Sequence, residues 1–357
     1  SAFLVSQFTS AAILTLDRVG EWSTTTKGFG SRNAISLTHE IRFPHSLGLL
    51  YSAFTFYCGF KVNSGEYKLM GLAPYGMPRF ASQIRESLID VKADGSFQLN
   101  LDYFPYEYSL RMINKRFIQL FDNIPARASF EPITQHQRDV AASIQSVLEE
   151  IILRLTRSLY QEVKIPNLCL AGGVALNCVA NGKILQESPF QDLYVQPAAG
   201  DAGGALGVAY YIYNSILKRP RNFVMEHTYF GPHFSNATIA SFLKHHKVIY
   251  HSFRSSDKLF STVAKKLAHQ RVVGWFQGRM EWGPRALGNR SILADPRNPE
   301  NQKRVNLKIK FREDFRPFAP SVLEEYQHQY FNLSPPSPFM LLVGQVRGKR
   351  RSIPAVT

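Results

Sequence analysis

Cysteine is scarce in this sequence, and its few copies form no recognisable motif. The 357 residues include three cysteines, Cys58, Cys169 and Cys178, an odd number with no pair in CxxC spacing. This argues against a disulfide framework and against a cysteine-rich metal site. It fits a reducing compartment, and we expect a cytoplasmic protein.

Long apolar runs and a leader-like start are also missing. No run approaches the roughly 18 residues that a membrane-spanning helix needs, which argues against a membrane protein. No basic region precedes an apolar core near Ser1, so the sequence predicts no signal peptide. Hydrophobic residues make up 45% and charged residues 19%, as in ordinary soluble globular proteins, and the length favours two domains.

Acidic residues become scarce after residue 217. Residues 1–217 carry 18 Lys/Arg and 18 Asp/Glu, whereas residues 218–357 carry 24 and 9, so the net charge of +15 lies in the second part. Such asymmetry indicates that the second part handles an anionic ligand. Nucleic acid is disfavoured, because no zinc-finger, helix-turn-helix, RRM or KH signature is present. The basic tail at residues 347–351 adds to the charge and is equally explained as a solvated run.

A glycine-rich turn with three arginines lies in this basic part. Residues 272–276 predict a short buried strand, and the turn at residues 278–291 follows it. Guanidinium groups gathered at a strand end suit bidentate capture of phosphate or carboxylate. Surface ion pairs with Glu281, Asp295 and Glu300 explain any single arginine about as well. For three together we favour an anion site, formed by Arg279, Arg285 and Arg290.

In the neutral part, three predicted strands end in residues suited to anions or metals. The first, residues 11–16, ends at Asp17, and residues 23–26 predict a second strand that forms a hairpin with it. An aspartate at such a strand end is a metal or phosphate ligand, or simply a turn-former, which is the commoner role.

The other two strands each lead through a glycine turn into a helix. Residues 168–171 lead into Gly172 and Gly173, and residues 193–197 lead into the turn at 200–205. Backbone N–H groups at such helix starts attract anions. Each turn can also be a tight strand-to-helix connection, an explanation that weakens when two occur. With Asp17, and with Asp201 inside the second turn, they predict a cleft for nucleotide phosphates and a metal.

Periodicity and composition supply the remaining elements. Residues 135–162 repeat apolar positions at helical spacing and predict a core helix, and residues 256–270 predict another amphipathic helix. Residues 63–76, dense in glycine, proline and polar residues, predict a functional loop with Glu66 and Lys68 as its chemical groups. A helix predicted over residues 295–305 precedes the basic series Lys308, Lys310, Arg312 and Arg316.

These motifs together resemble the O-carbamoyltransferases of nodulation-factor and antibiotic biosynthesis. The resemblance covers nearly the whole chain. It implies an α/β fold with an incomplete Kae1-like domain of the actin/Hsp70 superfamily at 1–217, a linker at 218–225, and an incomplete YrdC-like domain at 226–357. The residues that carry it, in order, are 64–76, 171–177, 200–205, 278–291 and 315–320.

The resemblance also implies a reaction in two steps. The YrdC-like domain uses ATP and carbamoyl phosphate to form carbamoyl-adenylate, and the Kae1-like domain passes the carbamoyl group to a hydroxyl of a small-molecule or sugar acceptor. Transfer from such a mixed anhydride needs neutralised anions, a polarised carbonyl and the exclusion of water.

Site residues carried over from the family fall into three groups. The metal, Fe(2+) or another divalent ion, matches Asp17 and Asp201. The nucleotide matches Gly172, Gly173, Asn177, Gly200, Gly203, Gly204 and Lys68. Carbamoyl phosphate and the ATP phosphates match Arg279, Arg285, Arg290, Lys310 and Arg316, of which Arg285, Lys310 and Arg316 are the catalytic residues.

Three departures from the family pattern limit this interpretation. The family's HxxxH metal ligands should precede Ser1, its Ser-Phe-Asn motif should follow Thr357, and Arg18 stands where glycine usually follows the metal-binding aspartate. We therefore predict an internal fragment with weak metal affinity and little activity on its own. The alternatives are an inactive nucleotide-binding module and a relative of the tRNA threonylcarbamoylation proteins. A homodimer is compatible with the sequence.

Overall fold

The chain forms two units whose boundary follows Met225. The structure, a computed structural model, describes residues 1–348 and 352–357, so residues 349–351 of the basic tail lie outside the described residues. One unit is Ser1–Met225 with Leu341–Val343, and the other is Glu226–Met340 with Gly344–Thr357. The short return segment is hydrogen-bonded within the first unit, where Asn181 Nδ2 donates to the Leu341 carbonyl at 3.0 Å.

The first unit mixes strands and helices throughout its length. Its strands are β1 (Ser10–Leu16), β2 (Ser23–Ser31), β3 (Ala34–Arg42), β4 (Ile89–Val91), β5 (Phe97–Leu99), β6 (Asn167–Ala171) and β7 (Asp192–Val195). Its helices are α1 (Leu47–Tyr57), α2 (Glu66–Leu72), α3 (Ala81–Gln83), α4 (Lys115–Leu120), α5 (Gln135–Val163), α6 (Cys178–Glu187) and α7 (Ala202–Tyr210), which continues as a π-helix over Tyr211–Ile216. The predicted α/β class is confirmed.

One five-stranded mixed sheet organises this unit, in the order β3-β2-β1-β6-β7. β1 and β2 form the predicted antiparallel hairpin, while β1, β6 and β7 run parallel. The carboxyl ends of three parallel strands therefore meet at one edge, which is where open α/β sheets bind ligands. The predicted ligand-binding residues Asp17, Gly172 and Gly200 follow β1, β6 and β7, respectively.

The predicted core helix packs against this sheet. The apolar positions that predicted α5 are all buried, because helical spacing places them on one face. Thr134 and Gln137 form a capping box that defines the start of the helix. These positions are Val140, Ile144, Val147, Leu148, Ile151, Ile152 and Leu155.

An aromatic cluster lies in the stretch where the sequence showed no usable pattern, residues 79–130. Phe117 and Phe121 of that stretch have ring centroids 5.1 and 5.4 Å from Phe54 of α1, in edge-on contacts. Tyr57 packs on the same two rings at 5.6 and 5.5 Å. Such pairs stabilise beyond the area they bury, so this stretch has a structural role that sequence spacing did not predict.

Within the described residues, Cys58, Cys169 and Cys178 form no disulfide. Cys58 and Cys169 are buried, and burial raises the pKa of each thiol to about 12. A thiol that stays protonated is a poor nucleophile and a poor metal ligand.

The second unit is built from smaller elements. Its helices are α8 (Asn236–His245), α9 (Ser256–Ala268), α10 (Glu300–Arg304), which continues as a π-helix over Val305–Ile309, and α11 (Gln327–Tyr330). Its strands pair as two short antiparallel hairpins, β8 (Val273–Phe276) with β9 (Arg290–Leu293) and β10 (Phe331–Asn332) with β11 (Gln345–Val346). The predicted helix at 256–270 is confirmed, whereas the helix predicted at 295–305 begins five residues later, at Glu300.

The strand predicted at 272–276 is present, but the prediction that it is buried was wrong. Phe276 keeps 49% of its surface exposed. The reason is that β8 belongs to a sheet of only two strands. Helix α9 packs on it through Phe260, whose ring centroid lies 6.0 Å from that of Trp275. Over the described residues of both units, no helix combines the length and the apolar character needed to cross a bilayer.

Candidate functional site

Asp17 lies at the ligand-binding edge of the first sheet, directly after β1. Its Oδ1 accepts the backbone N–H of Gly173 at 3.2 Å and that of Arg18 at 2.8 Å. The backbone N–H of Gly172 in turn donates to the carbonyl of Ala199 at 2.8 Å. The ends of β1, β6 and β7 are therefore tied together, as the parallel topology requires.

The Asp201 side chain takes no part in these hydrogen bonds between the strand ends. It is exposed and immediately precedes α7. Among residues 1–348 and 352–357, no hydrogen bond joins Asp17 to Asp201, and no group of three or more His, Cys, Asp or Glu side chains is placed to hold a metal. The described residues thus supply two candidate carboxylates rather than a complete ligand set, and we derive no chemical step through a metal.

The two glycines after β6 differ in what they need. Gly172 has φ +93°, and a Cβ there would overlap the backbone carbonyl of Leu16. Only glycine fits such a position, so the fold itself requires it. Gly173 has no such constraint, because its Cβ would meet only Asp17 Oδ1, at 3.4 Å.

The glycines of the next turn divide in the same way. A Cβ on Gly203 would overlap the carbonyl of Ala198, whereas Gly200 and Gly204 have nothing within 4 Å. Gly203 and Gly204 lie in the first turn of α7, so the sequence was wrong to place both in the loop before it. Gly173, Gly200 and Gly204 are the positions where a phosphate could approach the backbone.

Asn177, predicted to contact nucleotide, is buried and uses its amide inside the protein. Its Oδ1 accepts the N–H of Ala180 at 3.1 Å and so caps α6. Its Nδ2 donates to Gln145 Oε1 at 3.0 Å, and Gln145 also receives the hydroxyl proton of Tyr51 at 2.8 Å. This network ties the loop after β6 to α1 and α5, so Gln145 supports the loop from behind.

Lys68 is on a helix, not in the loop predicted for residues 63–76. Glu66 starts α2 by accepting the N–H groups of Asn63 and Gly65 at 2.9 and 3.1 Å. Leu69 and Leu72 are buried, and their burial outweighs the glycines and proline nearby. The Lys68 ammonium lies 5.8 Å from the centroid of the Phe60 ring, a cation–π contact.

The arginine turn in the second unit is organised by a carboxylate. Glu281 Oε1 accepts three backbone N–H groups, from Leu287 at 2.8 Å, Asn289 at 2.8 Å and Arg290 at 3.3 Å. Its side chain has no exposed surface. Burial acts to raise the pKa of Glu281, but these hydrogen bonds to the carboxylate outweigh it and hold the pKa below its usual value.

The three arginines of this turn have different environments. Arg290 Nε lies 3.1 Å from Glu281 Oε2, which is close enough for an ion pair although the contact lacks hydrogen-bond geometry. Arg279 Nε donates to the carbonyl of Gly231 at 3.1 Å. Arg285 Nε is buried and has no hydrogen-bond partner among the described residues. The ion-pair alternative therefore explains Arg290, but it explains neither Arg279 nor Arg285.

A second basic group follows α10. Asn306 is fully buried, and its Nδ2 donates to the carbonyls of Asp314 and Arg316 at 3.1 and 2.8 Å while its Oδ1 accepts Arg312 Nε at 2.7 Å. Partial burial, then the charges of Arg312 and Arg316, lower the pKa of Lys310. Lys310 and Arg316 therefore lie near enough for their charges to interact.

Comparison with known proteins accounts for both units. A family model described as the carbamoyltransferase N-terminus matches residues 1–210, and one described as the carbamoyltransferase C-terminus matches residues 264–357. The chain belongs to the carbamoyltransferase family. The family predicted from the sequence is therefore confirmed.

Individual relatives align with nearly all of this chain. An uncharacterized protein of Synechocystis is 54% identical over 356 residues, which cover 98% of this chain and 58% of that protein. Nodulation protein NolO of Bradyrhizobium diazoefficiens is 37% identical over 356 residues, or 99% of this chain and 63% of NolO. Nodulation protein NolNO of Sinorhizobium fredii is 38% identical over 362 residues, or 99% and 50%. The chain thus spans half to two thirds of these relatives.

Sequence reasoning missed the polar residues that hold the candidate site in place. Gln145 sits on α5 among buried apolar positions, and a polar residue on an apolar face was the available signal. Asn306 and Ser46 gave no comparable signal. Glu281 was considered only as an ion-pair partner, because spacing does not show which N–H groups a carboxylate will meet.

Ser46 connects Asp17 to a helix start, and its loss is expected to destabilise the first unit. Its Oγ accepts the N–H of Leu49 at 3.0 Å, capping α1, and donates to the carbonyl of Asp17 at 3.0 Å in a fully buried position. Ser46→Ala should lower the free energy of unfolding by about 1–2 kcal/mol, measured by urea denaturation. Exposed Ser82→Ala should change it by less than about 0.5 kcal/mol. Equal effects would contradict this role.

Proposed function

We propose that this carbamoyltransferase forms carbamoyl-adenylate from ATP and carbamoyl phosphate and then transfers the carbamoyl group to a hydroxyl acceptor. The observation that carries the proposal is Arg285, whose buried Nε has no partner among the described residues in a turn built to hold it. A buried, unsatisfied guanidinium donor is costly unless a ligand completes it. The family models that match both parts of the chain support carbamoyl transfer as the chemistry.

The proposed steps balance with one water. Carbamoyl phosphate and water give carbamate and phosphate. A carbamate oxygen then attacks the α-phosphorus of ATP and pyrophosphate leaves, giving carbamoyl-adenylate. In the transfer step the acceptor oxygen bonds to the carbamoyl carbon and loses its proton, and AMP leaves.

The second unit is suited to the first of these steps. In this proposal Arg285, Lys310 and Arg316 supply the positive charge that binds phosphate groups and stabilises the charge of the departing phosphate. The lowered pKa of Lys310 reflects partial burial near Arg312 and Arg316, and an anionic ligand there would relieve that repulsion. Arg279 and Arg290 extend the positive field around the turn.

The first unit is suited to nucleotide binding. Gly200 and Gly204 leave open space beside the backbone at the carboxyl edge of the sheet, and a Cβ on Gly173 would meet only Asp17 Oδ1, at 3.4 Å. Fe(2+) or another divalent ion at Asp17 and Asp201 is part of the proposal as the family resemblance implies it. A bound divalent ion would polarise the carbamoyl carbonyl.

The acceptor is proposed only as a hydroxyl-bearing compound. NolO and NolNO are named as nodulation proteins, and this favours a sugar hydroxyl, such as that of an oligosaccharide, for screening first.

Pyrophosphate release tests the first step directly. With ATP and carbamoyl phosphate together, we expect pyrophosphate and phosphate to appear in equal amounts, because each carbamoyl-adenylate formed releases one of each. Omitting carbamoyl phosphate should abolish pyrophosphate release. Pyrophosphate that forms equally well without carbamoyl phosphate would contradict the proposal.

An inactive nucleotide-binding module is the second candidate. It is favoured by the observation that the described residues bring no three metal-ligating side chains together. Titration calorimetry with ATP and the pyrophosphate assay together separate the two candidates, because both bind ATP but the module releases no pyrophosphate when carbamoyl phosphate is added.

A further inference from the structure

One carboxylate, that of Glu281, closes the turn that carries Arg285. The start of the turn is held at Trp282, whose N–H donates to the carbonyl of Thr228 at 2.7 Å. The end of the turn is held at Leu287, whose carbonyl accepts a hydrogen bond from the Tyr229 hydroxyl at 2.9 Å. Both ends of the five residues between Glu281 and Leu287 are therefore fixed on the segment at residues 228–229.

Glu281 then links the two ends to each other. Its Oε1 receives the N–H groups of Leu287, Asn289 and Arg290, and its backbone carbonyl accepts Arg290 Nη2 at 3.2 Å. Asn289 adds a second link, because its Nδ2 donates to the carbonyl of Arg279 at 2.6 Å. Hydrogen bonds to an ionised acceptor are the strong ones, so these contacts fix the path of the turn.

We propose that Glu281 is a positioning residue that holds Arg285 in the orientation that binds the phosphate of carbamoyl phosphate. The inference rests on the proposed function, since it assigns Glu281 a role toward the same ligand. Arg285 lies in the middle of the closed turn, four residues after Glu281 and two before Leu287. A ligand-binding side chain needs such support to stay within a fraction of an ångström of its working geometry.

The charge of Glu281 matters as well as its shape. Glutamine would keep one oxygen that can accept the three N–H groups. It would then place an NH2 group where Oε2 now faces Arg290 Nε at 3.1 Å, so two donors would meet. Glu281→Gln is therefore expected to disturb the turn although it preserves size, and Glu281→Asp to disturb it because the shorter chain cannot reach all three N–H groups.

Asp295 provides a matched control in the same unit. It is also a buried carboxylate, 5% exposed, and it accepts Gln270 Nε2 at 3.0 Å and Arg297 Nη2 at 2.6 Å. Its contacts lie outside the turn at residues 281–290. Asp295→Asn therefore removes a buried charge without altering the support of Arg285.

Titration with carbamoyl phosphate and amide hydrogen exchange test the proposal together. Glu281→Gln should weaken carbamoyl phosphate binding at least tenfold and speed exchange at the Leu287 and Asn289 amides. Asp295→Asn should leave both unchanged even where it lowers the melting temperature. Glu281→Asp should fall between wild type and Glu281→Gln in both measurements, and it serves the test where Glu281→Gln does not fold.

Two outcomes separate this inference from the proposed function. If Arg285→Ala weakens carbamoyl phosphate binding while Glu281→Gln and Glu281→Asp do not, the positioning role of Glu281 is wrong and the proposed function still stands. If Arg285→Ala binds carbamoyl phosphate as tightly as wild type does, Arg285 does not form the phosphate site. The positioning role of Glu281 is then wrong as well.

Discussion

Replacing Arg285 with alanine is expected to weaken carbamoyl phosphate binding about 100-fold, a loss of about 2.7 kcal/mol. The guanidinium offers a planar fork whose Nε is buried and without a partner among the described residues. A hydrogen bond to a charged group contributes about 1.5–3 kcal/mol, and a bidentate arginine makes two. Titration calorimetry of the wild-type and variant proteins measures the difference.

Two further variants define what the Arg285 result means. Arg254→Ala removes the same charge from an exposed position in the same unit, and we expect less than a twofold change in affinity. Arg285→Lys keeps the charge but loses the fork, and we expect at least a tenfold loss, because an ammonium cannot bind bidentately. If Arg254→Ala weakened binding as much as Arg285→Ala, the effect would come from net charge and not from a site.

The separation of Arg285 from its neighbours was beyond what sequence spacing can show. Arg279, Arg285 and Arg290 look alike in the sequence, since each follows a glycine within a few residues. Their difference depends on where Glu281 and the carbonyl of Gly231 lie once the turn has closed. The composition predicts an anion site without choosing among the three arginines, and their hydrogen-bond partners in the folded turn are what distinguish them.

The fold could be predicted where one local pattern dominates. The strand at 11–16 followed from a short apolar run, and the core helix α5 followed from helical periodicity, because burial of one helix face imposes that spacing. The prediction failed at residues 63–76, where glycine and proline suggested a loop and the buried Leu69 and Leu72 produce helix α2. The aromatic contacts of Phe54 and Tyr57 with the 117–121 segment join distant parts of the chain, which no local pattern reports.

The sequence does not show whether each glycine of these loops serves the fold or a ligand, and mutation can separate the two roles. Gly172→Ala is expected to destabilise the first unit by about 2–5 kcal/mol, because a Cβ there combines a strained φ with an overlap on the Leu16 carbonyl. Gly173→Ala should change the free energy of unfolding by less than about 1 kcal/mol, since its Cβ has ordinary contacts. Urea denaturation of the two single variants compares them. Equal losses would contradict the assignment of Gly172 to the fold.

Gly203 and Gly204 extend this test from stability to ligand binding. Gly203→Ala should destabilise through its overlap with the Ala198 carbonyl, whereas Gly204→Ala, with nothing within 4 Å, should leave stability unchanged. If a phosphate approaches the backbone at this turn, Gly204→Ala should nevertheless weaken ATP binding at least tenfold, because the added methyl occupies the approach. ATP binding that is unchanged in both Gly173→Ala and Gly204→Ala would mean that these glycines serve the turns and not a nucleotide. Loss of ATP affinity without loss of stability can come only from a site, so this pair of measurements separates the two reasons for glycine that the sequence leaves mixed.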